Sequence, residues 1–122
     1  MTYYNRQVAS ISAAVYSNVY LTRQVISAKH FIDTNFTDNI TLDDICKEAC
    51  ISKFHLVRSF KKLYGTTPYQ YLTSVRINKA KTLLRNKASV AEVCYSVGFE
   101  SLTSFTALFK KKMGRAPSAF KP

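Results

Sequence analysis

The chain contains the same pattern of residues twice, and this internal repeat constrains its fold more than any other feature. The first matches lie at a constant offset of 48 positions, and one inserted residue then changes the offset to 49. The matched positions are Leu42, Ile45, Cys46, Ala49 and Ile51 with Val90, Val93, Cys94, Val97 and Phe99, then Ser52, Leu56, Phe60, Lys61, Lys62, Gly65, Pro68 and Tyr71 with Ser101, Phe105, Phe109, Lys110, Lys111, Gly114, Pro117 and Phe120. An ordered set of matches with a single insertion predicts one supersecondary unit that is built twice.

The first half of each unit predicts a short helix with a side-chain cap at its start. Thr41 stands before the first apolar positions, and Asp44 three residues later completes an acidic variant of the capping box. Ser89 with Glu92 repeats this arrangement in the second unit. We therefore expect one helix to begin directly after Thr41 and another directly after Ser89.

The second half of each unit predicts another helix, which follows a tight turn. The turns are expected at 49–51 and 97–99. Ser52 and Ser101 are good N-caps, while Gly65 and Gly114 are typical C-terminal stops. Because two helices joined by such a short turn form a helix-turn-helix, the sequence predicts this motif twice.

The remaining segments are also expected to be helical, which makes the predicted fold class all-α. Only three glycines and three prolines occur, and so few turn signals favour helices over many short strands. A helix over 21–35 is expected to bury Val25, Ala28, Phe31 and Ile32, and one over 68–84 is expected to bury Tyr71, Leu72, Val75, Ala80, Leu83 and Leu84. The predicted organisation is an amino-terminal arm or helical extension (1–20), a first lobe (21–67), a long linker helix (68–86) and a second lobe (87–122).

The charge of the chain points to a polyanionic partner. The net charge is +11, and it is concentrated from Lys47 onward, where 15 basic residues face three acidic ones. Nucleic acid is the first candidate for such a partner and an anionic membrane the second. The sequence has neither a signal peptide nor an apolar run near the ~18 residues of a membrane span, so we expect a cytoplasmic protein without a membrane partner.

The three cysteines predict free thiols rather than a metal site or a disulfide framework. Cys46 and Cys50 lie four residues apart, but the nearest further ligand is His55 on the next predicted helix, so no metal or other cofactor is expected. Buried free thiols in a reducing cytoplasm are the simpler interpretation, and Cys94 fits it as well.

The helix after Ser52 has one face toward the core and one toward solvent. At about 100° per residue, Leu56, Phe60 and Leu63 fall together and are expected to face the core. The opposite face carries Phe54, Arg58 and Lys61, with Val57 on its flank. Because arginine can bind guanine bidentately and an apolar side chain can contact a thymine methyl, this face is predicted to read DNA bases. The alternative is that Phe54 lies on the outward face but is covered by Tyr64 or by the amino-terminal segment and does not contact DNA.

The equivalent helix of the second unit offers a smaller outward face. Phe105, Leu108, Phe109 and Lys112 cluster toward the core, with Lys112 extending to solvent. The outward positions are Thr103, Ala107 and Lys110, flanked by Thr106, with Leu102 and Ser104 at the start of the helix. Because few long donors are present, this face is predicted to read sequence weakly and more by DNA shape, and a packing-only role stays open.

A further set of residues is predicted to contact phosphates. Helix amino ends attract anions, and paired lysines occupy matched places in the two units. The candidates are Ser52, Lys53, Lys61, Ser101, Thr106 and Lys110.

Across residues 25–120 the sequence resembles the DNA-binding domain of the AraC/XylS family of bacterial transcription regulators. The stretches that carry the resemblance include Ser52-Lys-Phe-His-Leu-Val-Arg-Ser-Phe-Lys-Lys, Gly65-Thr-Thr-Pro-Tyr-Gln-Tyr-Leu, Arg76-Ile-Asn-Lys-Ala-Lys-Thr-Leu-Leu and Val97-Gly-Phe-Glu-Ser. The resemblance implies about seven helices in two lobes, whose recognition helices enter successive major grooves about 34 Å apart.

The resemblance also implies residue roles. Family base contacts come from the positions of Phe54, Val57, Arg58, Leu102, Thr103, Ser104 and Ala107, and Arg76 matches a structural residue. Many members have a polar residue at Val57 and a long donor at Ala107, so this chain departs from the family pattern at both positions. The implied target is an asymmetric double-stranded site of about 20 base pairs bound by a monomer, with RNA polymerase as a further partner.

Three alternatives remain open at this level. No sensor domain fits in residues 1–20, so the chain is either a stand-alone regulator or a fragment of a longer one. A protein-interaction module could keep this fold without binding DNA. An enzyme such as a DNA-repair alkyltransferase would need an activated cysteine with a base and an acid beside it, and because the sequence shows no such set we expect no enzyme.

Overall fold

A computed structural model describes residues 3–86 and 88–122 of the protein, with side chains from residue 18 onward. This part of the chain is all-helical, as predicted. Its elements are α1 (Tyr3–Asn35), α2 (Leu42–Ala49), α3 (Lys53–Tyr64), α4 (Pro68–Arg85), α5 (Val90–Ser96), α6 (Leu102–Met113) and a short 3-10 helix (Pro117–Phe120). The backbone of α1 runs without a break from Tyr3 into the first lobe, while residues 1 and 2 of the predicted arm lie outside the described residues. None of these helices is long and apolar enough to cross a membrane.

Two separate cores define the two lobes. In the first lobe, α1, α2, α3 and the start of α4 bury Val25, Ala28, Ile32, Ile45, Ala49, Leu56, Phe60 and Leu72. In the second, the rest of α4 packs with α5 and α6 around Ile77, Ala80, Leu84, Val93, Cys94, Val97, Phe105 and Phe109. Helix α4 therefore serves both lobes, and it is the first helix of the second one.

The internal repeat extends further than the sequence comparison indicated. Helix α1 buries an apolar residue, an alanine and another apolar residue at i, i+3 and i+7, and α4 does the same with identical spacing. These sets are Val25, Ala28 and Ile32 in α1, and Ile77, Ala80 and Leu84 in α4. Ile77 was missing from the predicted stripe, although it is fully buried. Each lobe is thus a three-helix unit in which the last two helices form the helix-turn-helix.

The matched prolines also have matched roles. In the first lobe, Pro68 opens α4 and places the Tyr71 ring against Phe60, with the ring centroids 5.7 Å apart. In the second lobe, Pro117 opens the 3-10 helix, which places Phe120 against Phe109 at 5.2 Å. In both lobes, an aromatic residue three positions after the proline therefore packs on the matched core phenylalanine.

A polar cluster fixes α4 to α1 on the first lobe. The Tyr71 hydroxyl donates a hydrogen bond to the Asp33 carboxylate, which also binds Lys29 Nζ at 2.9 Å. Burial, followed by the Asp33 hydrogen bond, raises the pKa of Tyr71, so the phenol stays protonated as a donor. Lys29 Nζ also lies 5.3 Å from the centre of the Tyr71 ring.

The helix caps follow the sequence prediction with one exception. Thr41 and Asp44 form the full capping box, and the hydrogen bond from the Thr41 amide lowers the pKa of the Asp44 carboxyl. Ser89 accepts the Glu92 amide hydrogen at 3.2 Å, but within the described residues the return bond to the Glu92 side chain does not form. Glu92 is exposed, so water offers its carboxylate comparable hydrogen bonds.

Two burial predictions were wrong. Leu63 is 48% exposed, because it lines an open cleft between α1 and the last turn of α3 instead of packing against α1. Cys50 is also exposed rather than buried; it is the C-cap of α2 and has a left-handed backbone, at φ 53°. Its counterpart in the repeat is Gly98, at φ 102°.

Candidate nucleic-acid interface

The helix-turn-helix units place two equivalent helices, α3 and α6, with capped amino ends. Ser52 Oγ accepts the His55 amide hydrogen at 3.4 Å, and Ser101 Oγ accepts that of Ser104 at 3.2 Å. In both cases the serine oxygen is the acceptor, so its hydroxyl hydrogen remains able to donate to a phosphate. Both serines are exposed, as a contact with a DNA backbone would require.

The outward face of α3 combines an aromatic ring with a guanidinium. Phe54 is 66% exposed, and Arg58, one turn later, is also exposed. The Arg58 Cζ atom lies 5.9 Å from the centre of the Phe54 ring, within the range of a cation–π interaction. Val57 is half-buried on the flank of this face. The contact with Phe54 limits the rotamers of Arg58, so less freedom is lost when the guanidinium binds.

His55 joins this face, although the sequence analysis considered it only as a metal ligand. Its ring meets the Phe54 ring edge-on, with the centroids 5.6 Å apart. His55 is exposed next to the N-cap of α3. The sequence could have indicated that His55 belongs to this face, because it lies three residues after the N-cap Ser52, in the same first turn as Phe54.

The outward face of α6 is small and carries few donors. Leu102 is 40% exposed, and Thr103, Ser104 and Ala107 are exposed as well. Thr106 is half-buried, and its hydroxyl donates to the Leu102 carbonyl oxygen at 2.8 Å. Because that hydrogen is already bound, a phosphate contact from Thr106 would first have to break an internal hydrogen bond.

The candidate phosphate lysines fall into two groups. Lys61 and Lys110 are exposed at matched places in α3 and α6. Lys53 instead has an internal partner, because its Nζ lies 3.3 Å from Asp43 Oδ1 of α2. Both side chains are more than half exposed, so this ion pair is weak, and a phosphate could replace the carboxylate. The sequence analysis missed the pair because it depends on how α2 packs on α3.

Two of the three cysteines are shielded from reaction by burial. Burial raises the pKa of Cys46 and of Cys94, which keeps both thiols neutral and weakly nucleophilic. Among the described residues, no group of three or more histidine, cysteine or carboxylate side chains could hold a metal ion.

The arrangement of helices matches a known family. A family model described as a helix-turn-helix domain matches residues 45–122. The solved structure of a transcriptional regulator with an AraC-type DNA-binding domain, from Chromobacterium violaceum, superposes with a TM-score of 0.71 at 26% identity. The alignment covers 88% of this chain and 93% of that one. The chain belongs to the AraC/XylS family.

Two other family members are similar over most of this chain. The bifunctional transcriptional activator and DNA repair enzyme AdaA of Bacillus subtilis is 35% identical over 92 residues, which are 75% of this chain and 44% of AdaA. The chain therefore spans less than half the length of this relative. The DNA-binding domain of AdpA, solved in complex with a target DNA, superposes with a TM-score of 0.75 at 25% identity, covering 79% of this chain and 87% of that one.

Proposed function

We propose that the protein binds specific double-stranded DNA sites through α3 and α6, which lie in successive major grooves, and thereby activates bacterial transcription. The observation that carries this proposal is that both helices have a serine-capped amino end and an exposed outward face at equivalent positions of the repeat. A protein that built this unit twice for packing alone would have no need to keep both faces open. The DNA-binding domain of AdpA, which has a similar fold, was solved in complex with a target DNA, and this supports DNA as the ligand.

The first lobe is the stronger reader in this proposal. Arg58 would bind a guanine edge bidentately, while Phe54 and Val57 would contact thymine methyl groups. The cation–π contact holds Arg58 beside Phe54, so the two side chains would read neighbouring base pairs as one unit. One good bidentate contact is worth about 1–3 kcal/mol of discrimination against the wrong base.

The second lobe would read DNA less strictly. Its proposed base contacts are Leu102, Thr103, Ser104 and Ala107, which provide methyl groups and two short hydroxyls. Such a face fits thymine-rich steps and local groove shape better than guanine edges. We therefore expect a site with one well-defined half and one degenerate half.

Affinity in this proposal comes mainly from the phosphate backbone. The proposed phosphate contacts are Ser52, Lys53, Lys61, Ser101, Thr106 and Lys110. Of these, Lys61 and Lys110 have the most direct access, whereas Lys53 and Thr106 must first leave internal partners. The net charge of +11 supports strong, salt-dependent attraction to DNA.

Two unlike lobes on one chain imply an asymmetric site of about 20 base pairs that a monomer can occupy. The regulatory role rests on the relatives, since AdaA is named a transcriptional activator. RNA polymerase is the partner through which activation would act, and the nucleoid is where it would act. Any catalytic or sensing activity of a longer relative lies outside this proposal, because the chain spans 44% of AdaA.

Selection of bound duplexes from a random library tests the proposal directly. The expected result is an asymmetric consensus with one sharp and one degenerate half, and the Phe54→Ala/Arg58→Ala variant should lose the sharp half only. A matched Lys47→Ala/Glu48→Ala variant, exposed at the end of α2, should keep both halves. If no duplex binds more tightly than the non-specific range of about 10⁻⁴ to 10⁻⁶ M at physiological salt, DNA recognition is ruled out and a protein-interaction module becomes the better explanation.

A further inference from the structure

One arginine of α4 joins both lobes. Arg76 Nε donates a hydrogen bond to the Phe36 carbonyl oxygen at 2.7 Å, and its Nη2 donates to that of Asp38 at 2.9 Å. Phe36 and Asp38 lie in the loop between α1 and α2 of the first lobe. A single guanidinium therefore binds two carbonyl groups of one loop. Because two of its donors are used, the orientation of the guanidinium relative to the loop is fixed.

The other side of the same guanidinium contacts the second lobe. Arg76 Cζ lies 5.7 Å from the centre of the Phe99 ring, in the turn between α5 and α6. The preceding residue, Gly98, comes so close that a Cβ atom on it would lie 2.9 Å from Arg76 Nε and 2.7 Å from the Phe36 oxygen. The loop of the first lobe, the Arg76 side chain and the turn of the second lobe are thus in direct contact. We call this set the interlobe contact.

Few other contacts restrain the lobes relative to each other. One is the hydrogen bond from Lys112 Nζ of α6 to Ser74 Oγ in the first half of α4, at 3.1 Å. Apart from α4, the helices of the two lobes share no extensive contact in the described part of the chain. Helix α4 alone sets the distance between the lobes, but a helix of 18 residues can bend, and bending would turn one helix-turn-helix relative to the other. The interlobe contact lies beside the helix axis and opposes that bending.

We propose that Arg76 is a positioning residue that sets the spacing between the two half-sites that the protein accepts. This inference rests on the proposed function, because it requires that both lobes bind one duplex. Each base pair added between the half-sites moves the second one by about 3.4 Å along the duplex and turns it by about 35° around the axis. A protein with a fixed angle between its lobes binds such a shifted site poorly. A protein whose lobes can turn relative to each other still places both recognition helices in their grooves.

The test measures affinity as a function of half-site spacing. Duplexes carry the selected site with zero, one or two base pairs added or removed between its halves. For the unmodified protein, one base pair should cost about tenfold or more in Kd, comparable to the loss of a bidentate base contact. Arg76→Gln should bind the best spacing more weakly but lose less than about threefold per base pair, because its lobes can readjust.

Matched variants separate positioning from charge and from folding. Arg85→Gln removes the same charge from an exposed position of the same helix and should keep the spacing profile of the unmodified protein. Arg76→Lys keeps the charge but loses the paired donors, so its profile should be intermediate. If Arg76→Gln does not fold, the Arg76→Lys profile decides the question.

Two results would overturn the inference. If the Arg76 variants weaken every spacing by the same factor, the residue contributes only to stability or to overall charge. If the unmodified protein yields no selectable duplex at all, the proposed function itself fails. The two failures are distinguishable, because the first keeps a spacing optimum and the second never shows one.

Discussion

Replacing Gly98 by alanine should destabilise the protein far more than an exposed glycine-to-alanine change normally does. At φ 102° an L-residue is strained, which costs about 1–2 kcal/mol. The new Cβ would also lie 2.7 Å from the Phe36 carbonyl oxygen and 2.9 Å from Arg76 Nε, so the backbone and the Arg76 side chain must both move. Losing the hydrogen bond from Arg76 to that carbonyl adds about 1.5–3 kcal/mol, since the donor is charged. Together these effects should lower the free energy of unfolding by about 2.5–5 kcal/mol.

The assay is thermal and urea denaturation followed by circular dichroism. For a domain of this size, 1 kcal/mol corresponds to about 4 °C in Tm, so Gly98→Ala should melt about 10–20 °C lower. Gly114→Ala is the matched control, because Gly114 also has a positive φ, of 78°, but a Cβ atom on it would have no neighbouring atom within 4 Å. The control should therefore lose only the backbone share, about 1–2 kcal/mol.

The comparison of the two glycine variants gives a clear refutation. If Gly98→Ala and Gly114→Ala melt within about 2 °C of each other, the close approach of Arg76 and Phe36 contributes nothing beyond backbone strain. In that case the interlobe contact would be too weak to hold the lobes at a fixed angle. An unchanged urea m-value is needed alongside, since it shows that both variants unfold from the same native state.

Four further changes test the site and the first lobe. Arg58→Ala should cost about 1–3 kcal/mol of binding to the preferred duplex and flatten the preference at one base pair, and equal losses on all sequences would contradict its reading role. Lys110→Ala should weaken all duplexes similarly and lower the slope of log K against log salt by about one, so an unchanged slope would exclude a phosphate contact. Asp43→Asn should release Lys53 from its ion pair, so DNA binding should tighten at low salt more than at high salt. DNA titrations at both salt concentrations measure this, and an unchanged Kd would mean that Lys53 does not approach the DNA. Cys50→Gly should raise the free energy of unfolding in urea by about 1 kcal/mol, because glycine adopts the left-handed backbone at this position without strain. A loss of stability would instead show that the Cys50 side chain stabilises the fold.

Much of the fold was predictable because local signals and the repeat agreed. The serine caps of α3 and α6, their glycine stops and the proline that opens α4 each have a short-range physical cause. Burial was predictable for the large apolar residues that recur at helical spacing and match between the two copies, as for Phe60 and Phe105. The exposed faces that carry Phe54 and Thr103 followed from the same periodicity.

What the sequence could not predict depends on neighbours from other elements. Leu63 has the spacing of a core residue, but its exposure depends on how closely α1 approaches the last turn of α3, where a cleft stays open. The pairing of Lys53 with Asp43 likewise depends on the packing of α2 against α3. The resemblance implied a structural role for Arg76, but its partners were out of reach for the same reason, because they lie about 40 residues before it and 23 after it in sequence.

The comparison of Cys50 with Gly98 shows how the two copies of the unit have diverged. Both residues follow the first helix of a helix-turn-helix, and both have a positive φ. A positive φ at this point of the chain does not by itself require glycine, because Cys50 adopts one at φ 53° with an exposed side chain, whereas Gly98 lies at φ 102°. At Gly98 the space that a side chain would take is already occupied by the guanidinium of Arg76 and the carbonyl group of Phe36. The glycine of the second copy is therefore explained by two features together, its φ of 102° and the contact between the lobes that fills the space of a side chain.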